Sequence, residues 1–367
     1  MPSPKVILSG GGTGGHIFPA IAIANAIKNL EPNAEILFVG AQGRMEMEKV
    51  PAAGYPIEGL WISGFQRSLS LKNLMFPFKV IKSLQAAKKI IEKFNPDLVI
   101  GTGGYASGPV LRIATKKKIP TLIQEQNSYA GITNKILGKS VNKVCVAFEN
   151  MERFFPADKI VLTGNPVRKT VIEIEGKRNK ACEFFGLHEG KKTILIIGGS
   201  LGAKAINEAI LPQINRFIEE DVQLIWQTGK VSFETVEAGT KHLKNKGIKV
   251  HQFIAEMDLA YAAADLVISR AGAIAVTEIV LTKKPAILVP LPSAAEDHQT
   301  KNAIALTQHD AALIISNSQA ANLLTEQALN LVQNDEELSK LAHNISPFGL
   351  PNSAEVIAKE ALKLIAL

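Results

Sequence analysis

The chain has 367 residues, 46% of them hydrophobic and 20% charged, with a formal net charge of +7. This composition excludes a disordered or fibrous protein, and the length predicts two domains, because one domain usually spans about 100–200 residues. The only two cysteines, Cys145 and Cys182, cannot form a disulfide framework, which favours a reducing compartment.

Short apolar runs alternate with helix-length amphipathic stretches, and each run is typical of a buried parallel strand. In the first half the predicted strands are Val6–Ser9, Ile36–Val39, Leu98–Gly101, Thr121–Gln124, Lys143–Ala147 and Ile160–Thr163. In the second half they are Thr193–Ile197, Gln223–Gln227, Lys249–Phe253, Leu266–Ser269, Ala286–Val289 and Ala312–Ile315. The predicted helices are Ala20–Leu30, Phe78–Phe94, Ala203–Phe217, Ala273–Leu281, Gln299–Thr307 and Ala354–Ile365. This alternation predicts an α/β protein with parallel sheets.

The pattern of strand, glycine turn and helix occurs twice, at residues 6–30 and again at residues 193–217. Each occurrence opens its own doubly wound unit, so we predict two Rossmann-like domains with a boundary near Gly164–Pro166. Proline and glycine at residues 347–351 precede the last helix and allow it to return to the first domain. The predicted domains are residues 1–165 with the C-terminal segment 350–367, and residues 166–349.

The positive charge is concentrated in the first predicted domain. Residues 1–165 contain 20 Lys and Arg against 11 Asp and Glu, a net charge of +9, whereas the remainder carries −2. Such a basic half suits nucleic acid, acidic lipid or a phosphorylated substrate, but no zinc-ligand spacing or RRM-like aromatic motif accompanies it, so we expect no nucleic-acid partner. No apolar stretch reaches the ~18 residues of a spanning helix, and the N-terminal sequence is unlike a signal peptide. We therefore expect a protein that is soluble or lies on a membrane surface.

The glycine turn GGGTGGH, residues 10–16, follows the first strand and opens the first helix. Its glycines let the backbone approach a ligand closely, and the amides at the helix start favour an anion. A dinucleotide site also needs a carboxylate at the end of the second strand, where the sequence FVGAQ at residues 38–42 has none, so NAD is a weak second choice. His16, beside this predicted phosphate site, is a candidate functional residue. Tight strand–helix packing without a ligand is the alternative for this turn.

A second glycine turn, Gly198–Ala203, has the same arrangement with a hydroxyl group, Ser200, at the helix start. Ser200 is either an N-cap or a phosphate ligand, and one hydroxyl group can fill both roles. One such turn is a weak signal. Two turns, one in each domain, imply two phosphorylated substrates.

Other polar clusters follow predicted strands, where open α/β sheets bind their ligands. These clusters are GTGGY at residues 101–105, QEQN at residues 124–127, SRAGA at residues 269–273 and EDHQ at residues 296–299. Asn127 and Gln299 are either ligand-binding residues or capping and turn residues. Glu278 is either a ligand-binding residue or a solvated acid on a helix. Glu296 and Asp297 are more typical of first-turn acids that complement a helix dipole.

Seven motifs occur in order along the chain: GGGTGGHIFPA, GTGGYASGP, QEQN, TGNPVR, GGSLGA, SRAGA and DHQTKNA. Together they resemble the MurG family of bacterial GlcNAc transferases over nearly the whole chain. The resemblance implies a GT-B fold, in which two Rossmann-like doubly wound domains face each other across a cleft, with the acceptor on the first and UDP-GlcNAc on the second. The sequence departs from the family at residues 253–257, FIAEM, where two aspartates usually precede the methionine. The implied uracil contact there uses the backbone of Ile254.

The resemblance also implies the reaction. GlcNAc moves with inversion from UDP-GlcNAc to the C4 hydroxyl of MurNAc-pentapeptide on undecaprenyl pyrophosphate (lipid I), which gives lipid II for peptidoglycan. His16 is the first candidate for the general base and Glu125 is the alternative. No metal and no cofactor are expected, because Arg168 and helix amides can stabilise the departing diphosphate. The implied UDP-GlcNAc contacts are Thr13, Gly14, Gly15, Asn127, Arg168, Ser200, Ile254, Ala273, Ile274, Ala275, Val276, Thr277, Glu278 and Gln299. The implied acceptor contacts are Gly12, Gly103, Gly104 and Tyr105.

The polyprenyl tail of such an acceptor requires an enzyme at the membrane. The chain contains an apolar and basic stretch suited to interfacial anchoring on anionic lipid. It consists of Leu71, Leu74, Met75, Phe76 and Phe78, interleaved with Lys72, Lys79 and Lys82. We expect a peripheral protein on the cytoplasmic face of the bacterial plasma membrane, with an ordinary amphipathic helix facing the core as the alternative for this stretch.

Overall fold

The computed structural model describes residues 3–62, 76–199 and 201–366. The chain divides into two compact units, one formed by Met1–Val167 with Leu350–Leu367 and the other by Arg168–Gly349. The division thus lies two residues beyond the boundary expected from the sequence.

The first unit is built on a seven-stranded parallel sheet with the strand order β3-β2-β1-β4-β5-β6-β7. Its elements in chain order are β1 (Lys5–Gly10), α1 (Gly14–Leu30), β2 (Glu35–Ala41), α2 (Glu46–Ala52), β3 (Ile57–Leu60), α3 (Phe76–Phe94), β4 (Leu98–Gly103), α4 (Ser107–Lys116), β5 (Thr121–Glu125), α5 (Ile132–Gly138), β6 (Lys143–Val146) and β7 (Ile160–Leu162).

The central strand β1 is apolar because both faces of its sheet are covered. Successive side chains of a strand point to opposite faces. Ile7 joins the core that includes Val99 and Ile123, while Val6 and Leu8 join the core on the other face. All five side chains are fully buried. A strand buried on both sides reads as a continuous hydrophobic run rather than an alternating one, which is why the sequence pattern identified it.

The second unit contains a six-stranded parallel sheet with the order β10-β9-β8-β11-β12-β13. Its elements are α6 (Lys169–Ile172), α7 (Arg178–Phe185), β8 (Thr193–Ile197), α8 (Lys204–Ile210), α9 (Ile214–Glu219), β9 (Gln223–Gln227), α10 (Phe233–Thr240), β10 (Ile248–His251), α11 (Met257–Ala263), β11 (Leu266–Ser269), α12 (Ala273–Leu281), β12 (Ala286–Leu288), α13 (His298–Thr307), β13 (Leu313–Ile314), α14 (Ala320–Val332) and α15 (Asp335–Ile345). The chain ends with α16 (Ser353–Lys363), which belongs to the first unit.

The C-terminal helix α16 packs against α1. Its residues Ile357, Ala358 and Ala361 are fully buried in the core that contains Val6 and Leu8. The chain approaches closely where it enters this helix, since a Cβ atom on Gly164 would lie 2.7 Å from the Ser353 Oγ atom. The last helix therefore completes the hydrophobic core of the first unit.

The twelve strands predicted from the sequence are all present, within two residues at each end. The strand β3 was not predicted; it is an edge strand whose Glu58 and Gly59 interrupt the apolar run. The single helix predicted over residues 203–217 was wrong. Pro212 lies in a 3-10 turn that separates α8 from α9, because proline has no amide hydrogen for the helical ladder.

Each sheet changes winding direction between two strands, β1 and β4 in the first unit and β8 and β11 in the second. The connections that follow such neighbouring strands turn to opposite faces of the sheet and leave a crevice at its carboxyl edge. The glycine turns follow β1 and β8, so both lie at these crevices.

Candidate active site

In the first unit, the loops that follow β1 and β4 pack backbone against backbone. The Thr102 hydroxyl donates a hydrogen bond to the His16 carbonyl over 2.8 Å. Gly103 and Gly104 have φ angles of +96° and +83°, which favour glycine. A Cβ atom on Gly104 would lie 2.2 Å from the Gly11 carbonyl oxygen, and one on Gly103 would lie 3.1 Å from His16 Nε2. The GTGG sequence is therefore required for the second loop to lie against the first turn and its histidine.

The His16 imidazole is oriented by the turn that precedes it. Its Nδ1 atom lies 3.0 Å from the Gly11 carbonyl oxygen and 3.2 Å from the Thr13 hydroxyl. Because a carbonyl oxygen only accepts hydrogen bonds, this contact assigns the proton of the neutral ring to Nδ1. The basic lone pair is then on Nε2, the atom beside Gly103. This is the tautomer that a general base needs.

A buried carboxylate that the sequence analysis missed lies beneath the same turn. Glu46, the first residue of α2, has no exposed surface. Its two carboxylate oxygens accept from the Gly12 amide at 3.2 and 3.1 Å, and one of them also accepts from the Ala41 amide at 3.0 Å. The amide of Gly12, a residue expected among the acceptor contacts, is therefore engaged by Glu46. In the sequence, Glu46 lies four residues beyond the segment 38–42, where a dinucleotide site would place its carboxylate.

The alternative base, Glu125, is 2% exposed at the end of β5. One carboxylate oxygen accepts from the amide and the side chain of Asn127 at 3.1 and 3.2 Å. The other accepts from the Gly131 amide at 3.0 Å and from Asn134 Nδ2 at 2.9 Å. Four donors thus surround this buried carboxylate, which holds the loop that carries Asn127.

Tyr105 and the first turn of α1 form the exposed part of this edge. Tyr105 follows the GTGG loop and is 50% exposed. Thr13 is exposed at the N-cap of α1 and its side chain caps no backbone amide, while Gly14 and Gly15 are partly exposed. These residues, together with Gly12, are accessible to a ligand at the carboxyl edge of the first sheet.

In the second unit, the glycine turn after β8 packs against the loop after β9. Gly202 and Gly229 have φ angles of +94° and +75°. A Cβ atom on Gly202 would lie 2.3 Å from the Thr228 carbonyl oxygen, and one on Gly229 would lie 2.1 Å from the Gly202 amide nitrogen. These two glycines are required for the close contact of the two loops. Ser200 lies outside the described residues, so its expected phosphate contact stays a prediction.

Glu278, on α12, has an unusual environment for a carboxyl group. Loss of hydration raises its pKa to about 7, opposed by a hydrogen bond from Tyr261 and by the positive charge of Arg168. The fully buried Tyr261 donates its hydroxyl hydrogen to Glu278 Oε2 over 3.1 Å. Arg168 is exposed at the N-cap of α6. The structure therefore brings Arg168 and Glu278, predicted on separate motifs, into electrostatic contact.

The other residues of the second unit that are expected to contact UDP-GlcNAc lie at the same carboxyl edge of its sheet. Ala273–Thr277 form the start of α12, which follows β11 after residues 270–272. The Ile254 amide donates to Gln227 Oε1 over 3.0 Å, and Gln299 Oε1 accepts from the Leu291 amide at 2.9 Å. The Ile254 amide already donates to Gln227. A contact between uracil and the backbone of Ile254 would therefore use the carbonyl group, which requires no rearrangement.

Arg270, in the SRAGA motif, holds neighbouring segments of the second unit together. Its Nη1 atom donates to the carbonyl oxygens of Val289 and Pro290 at 2.9 and 3.2 Å, and to Asn317 Oδ1 at 2.8 Å. These bonds connect the end of β11 with the segments that follow β12 and β13. Within the described ranges, no group of three or more His, Cys, Asp or Glu side chains has the arrangement of a metal site.

An apolar and basic surface lies at the start of α3. Trp61, Phe78 and Ile81 are 40%, 62% and 55% exposed. The ammonium groups of Lys79 and Lys82 lie 5.4 and 5.3 Å from the centre of the Trp61 ring, within the range of cation–π contacts. Leu71, Lys72, Leu74, Met75 and the side chain of Phe76, also expected in this surface, lie outside the described residues. No helix in the described part of the chain has the length and apolar character to span a bilayer.

Comparison with known proteins identifies the family. Residues 6–146 match the Glycosyltransferase family 28 N-terminal domain, and residues 193–359 match the Glycosyltransferase family 28 C-terminal domain. The chain is 53% identical to the UDP-N-acetylglucosamine–N-acetylmuramyl-(pentapeptide) pyrophosphoryl-undecaprenol N-acetylglucosamine transferase of Christiangramia forsetii, over 98% of both chains. It is also 53% identical, over 98% of both chains, to the protein of that name from Parabacteroides distasonis.

Solved structures agree with this assignment. The crystal structure of MurG from Acinetobacter baumannii matches with a TM-score of 0.78 and 31% identity, over 98% of this chain and 99% of that chain. UDP-GlcNAc 2-epimerase from Neisseria meningitidis, bound to UDP-GlcNAc, matches with a TM-score of 0.65 and 18% identity, over 98% of this chain and 100% of that chain. At this low identity, the likeness shows a common fold and no more. The protein therefore has the GT-B fold with two Rossmann-like units, and it belongs to the MurG family of family 28 glycosyltransferases.

Proposed function

We propose that this protein transfers GlcNAc from UDP-GlcNAc to N-acetylmuramyl-(pentapeptide) pyrophosphoryl-undecaprenol, the lipid-linked precursor of peptidoglycan. The observation that carries the proposal is the 53% identity, over 98% of both chains, to transferases named for that reaction. In this assignment the first unit binds the acceptor and the second unit binds UDP-GlcNAc. The residues described above then have the following roles.

His16 is the general base. Its Nε2 atom takes the proton from the C4 hydroxyl of the acceptor sugar as that oxygen forms a bond to C1 of GlcNAc. The bond between C1 and the diphosphate oxygen breaks, and its electron pair leaves with UDP. Attack from the face opposite the leaving group inverts the configuration at C1. The contact of Nδ1 with the Gly11 carbonyl supports this role, because it leaves the lone pair on Nε2.

Stabilisation of the leaving diphosphate is assigned to Arg168, to the Ser200 hydroxyl and to the nearby amides of the second glycine turn. Positive charge and preorganised donors at a departing oxyanion usually make the largest catalytic contribution. The exposed Arg168 supports the assignment, since its guanidinium is accessible to a phosphate and lies close enough to act on Glu278.

Glu278 is assigned to the ribose of UDP. An ionised carboxylate accepts hydrogen bonds from two vicinal hydroxyl groups, whereas a protonated one has a single full acceptor. The raised pKa of about 7 makes this contact dependent on pH near neutrality. Asn127 and Gln299 are assigned to sugar hydroxyls, and Ala273–Thr277 with the Ile254 carbonyl to the nucleoside.

The acceptor is a membrane lipid, and we assign docking at the cytoplasmic face of the plasma membrane to the surface of Trp61, Phe78, Ile81, Lys79 and Lys82. Exposed apolar side chains beside lysines suit insertion among anionic headgroups. An amphipathic helix facing the core would not leave Phe78 and Ile81 more than half exposed.

The direct test incubates the purified protein with radiolabelled UDP-GlcNAc and a short-chain analogue of the acceptor lipid. We expect the label to enter a butanol-extractable product in equal amount to the UDP released. Formation of UDP-ManNAc without labelled lipid would indicate an epimerase, a function met on the same fold. UDP binding without turnover of either kind would leave only a nucleotide-sugar binding protein.

A further inference from the structure

The mechanism above gives no role to Glu46, although this carboxylate is fully buried under the first glycine turn. Its oxygens accept from the amides of Gly12 and Ala41. In the described part of the chain, no lysine or arginine forms an ion pair with it. A buried negative charge without a cationic partner is costly, so its retention requires a compensating function or strong hydrogen bonds.

One peptide group lies between Glu46 and His16. The peptide bond that joins Gly11 to Gly12 contributes the Gly11 carbonyl on one side and the Gly12 amide on the other. The amide donates to Glu46 at 3.2 and 3.1 Å, and the carbonyl oxygen lies 3.0 Å from His16 Nδ1. The carboxylate, the peptide and the imidazole therefore form one continuous hydrogen-bonded chain.

This arrangement has a direct electrostatic consequence. A carboxylate on the amide side polarises the peptide and makes its carbonyl oxygen a stronger acceptor, as hydrogen bonds in a chain reinforce each other. The stronger acceptor holds the proton on Nδ1 and stabilises the imidazolium that forms when Nε2 takes a proton. In hydrolases with a Ser-His-Asp triad, a carboxylate bonded directly to the imidazole has this role. Here one peptide group separates the two.

The local sequence is adapted to this contact. A Cβ atom on Gly11 would lie 2.1 Å from Glu46 Oε1, and one on Gly40 would lie 2.6 Å from Glu46 Cγ. Both positions must be glycine for the carboxylate to reach the turn. The second glycine of GGGTGGH therefore makes room for a protein carboxylate rather than for a ligand.

We propose that Glu46 is a positioning residue that orients and activates His16 through the Gly11–Gly12 peptide, an inference that rests on His16 being the base of the proposed reaction. Other polar groups around the imidazole act differently. Thr13 contacts Nδ1 through a neutral hydroxyl, and the Thr102 hydroxyl bonds to the backbone of His16. Tyr105 is exposed on the neighbouring loop, and the Glu125 carboxylate is occupied by its own four donors.

The test replaces Glu46 by Gln, which keeps the size of the side chain and removes the charge. We expect kcat to fall about 10- to 100-fold, less than the ~10²–10⁴-fold loss of a missing base, with the KM for UDP-GlcNAc changed less than about two-fold. The acid limb of the pH profile of kcat/KM should move to lower pH by about one unit, because the imidazolium loses a nearby negative charge. Glu48→Gln, on the same helix but with its side chain 78% exposed, is the matched control and should change neither quantity.

A double-mutant cycle with His16→Ala separates positioning from a general structural effect. If Glu46 acts through His16, Glu46→Gln should reduce the residual rate of His16→Ala less than about two-fold. A loss as large as in the wild-type background would overturn the proposal. If Glu46→Gln does not fold, as judged by UDP binding and thermal melting, the same cycle is run with Glu46→Asp, whose charge is kept but whose shorter side chain cannot reach Gly12 in the same position.

Separate outcomes test His16 as the base and its coupling to Glu46. An unchanged kcat in His16→Ala would remove His16 as the base, and with it the proposed mechanism. A strong loss in His16→Ala, together with a wild-type rate and pH profile in Glu46→Gln, would leave His16 as the base and refute only its coupling to Glu46.

Discussion

The hydrogen bond from Tyr261 to Glu278 predicts a pH-dependent loss of UDP affinity when the hydroxyl is removed. Tyr261→Phe keeps the buried ring and deletes only the donor that lies 3.1 Å from Glu278 Oε2. That hydrogen bond lowers the pKa of Glu278, which desolvation raises to about 7. Without it the pKa rises further, and more of the carboxyl is protonated at neutral pH.

The magnitude follows from the strength of such a bond. A hydrogen bond to a charged group contributes about 1.5–3 kcal/mol, and 1.36 kcal/mol corresponds to one pKa unit, so the pKa of Glu278 should rise by about one to two units. At pH 7.5 the ionised fraction falls from about three quarters to between roughly a quarter and a thirtieth. If only the ionised form holds the ribose, UDP binds about 3- to 25-fold more weakly.

The sign of the pH dependence is the diagnostic feature. UDP affinity requires ionised Glu278, so it is lost as the pH falls through the pKa of this group, and Tyr261→Phe moves the loss to higher pH. Titration calorimetry with UDP between pH 6 and pH 9 measures the ratio of the two dissociation constants at each pH, which cancels the titration of UDP itself. The ratio should be largest at pH 6, at about 9- to 90-fold, fall to about 3- to 25-fold at pH 7.5 and decrease to about two or less at pH 9.

Glu278→Gln is the control for this experiment, because it cannot ionise and should bind UDP weakly with no such pH dependence. A constant ratio between wild type and Tyr261→Phe at every pH would show that the hydroxyl group acts on packing alone. Equal affinities throughout would refute the assignment of Glu278 to the ribose or the coupling of the two side chains.

Three further predictions follow from the structure. His16→Ala should lower kcat by ~10²–10⁴-fold with UDP affinity nearly unchanged, measured by steady-state kinetics and calorimetry; a collapse of UDP affinity would make His16 a binding residue instead. Replacing Lys79 and Lys82 together by Glu should weaken binding to vesicles with anionic lipid by well over ten-fold, because each lysine contributes about 1 kcal/mol, whereas Lys204→Glu in the second unit should have no effect. Vesicle binding that responds neither to the double replacement nor to salt would contradict docking through this surface. Without UDP, Glu278→Gln should raise the unfolding temperature at pH 8 but not at pH 4, because the raised pKa of Glu278 makes the wild-type protein lose stability as the pH rises from 4.5 to about 7. A larger gain at pH 4 would contradict this linkage.

The fold was largely predictable because parallel strands buried on both faces are continuous apolar runs, and the glycine turns mark where each doubly wound unit begins. Local interactions determine these features. Pro212 shows the same principle, since the break between α8 and α9 follows from the missing amide of one residue. The edge strand β3 was not predicted, because this short strand pairs only with β2 and its Glu58 and Gly59 interrupt the apolar run.

At the level of motifs, the sequence predicts where a site should lie. Glycine, histidine and carboxylate residues after strands indicated a ligand at the carboxyl edge of each sheet, and His16 was distinguished by its residue type. The choice between His16 and Glu125 was not predictable, because both are chemically competent bases. Their hydrogen bonds differ, since four donors surround the Glu125 carboxylate whereas His16 Nδ1 lies against the Gly11 carbonyl, and this difference supports the proposal that His16 is the base.

Only the tertiary structure identified Glu46 and Tyr261 as partners of the site. Glu46 lies 34 residues from the amide that it accepts from, and Tyr261 lies 17 residues from Glu278. At another position, a glutamate would be an ordinary solvated acid and a tyrosine would be an ordinary aromatic residue of the core. Their roles depend on burial, which changes the strength of each charge, and on side-chain direction, which is set by packing between elements. Neither quantity is encoded in the local pattern of residues, so these contacts become visible only when the strands and helices are assembled.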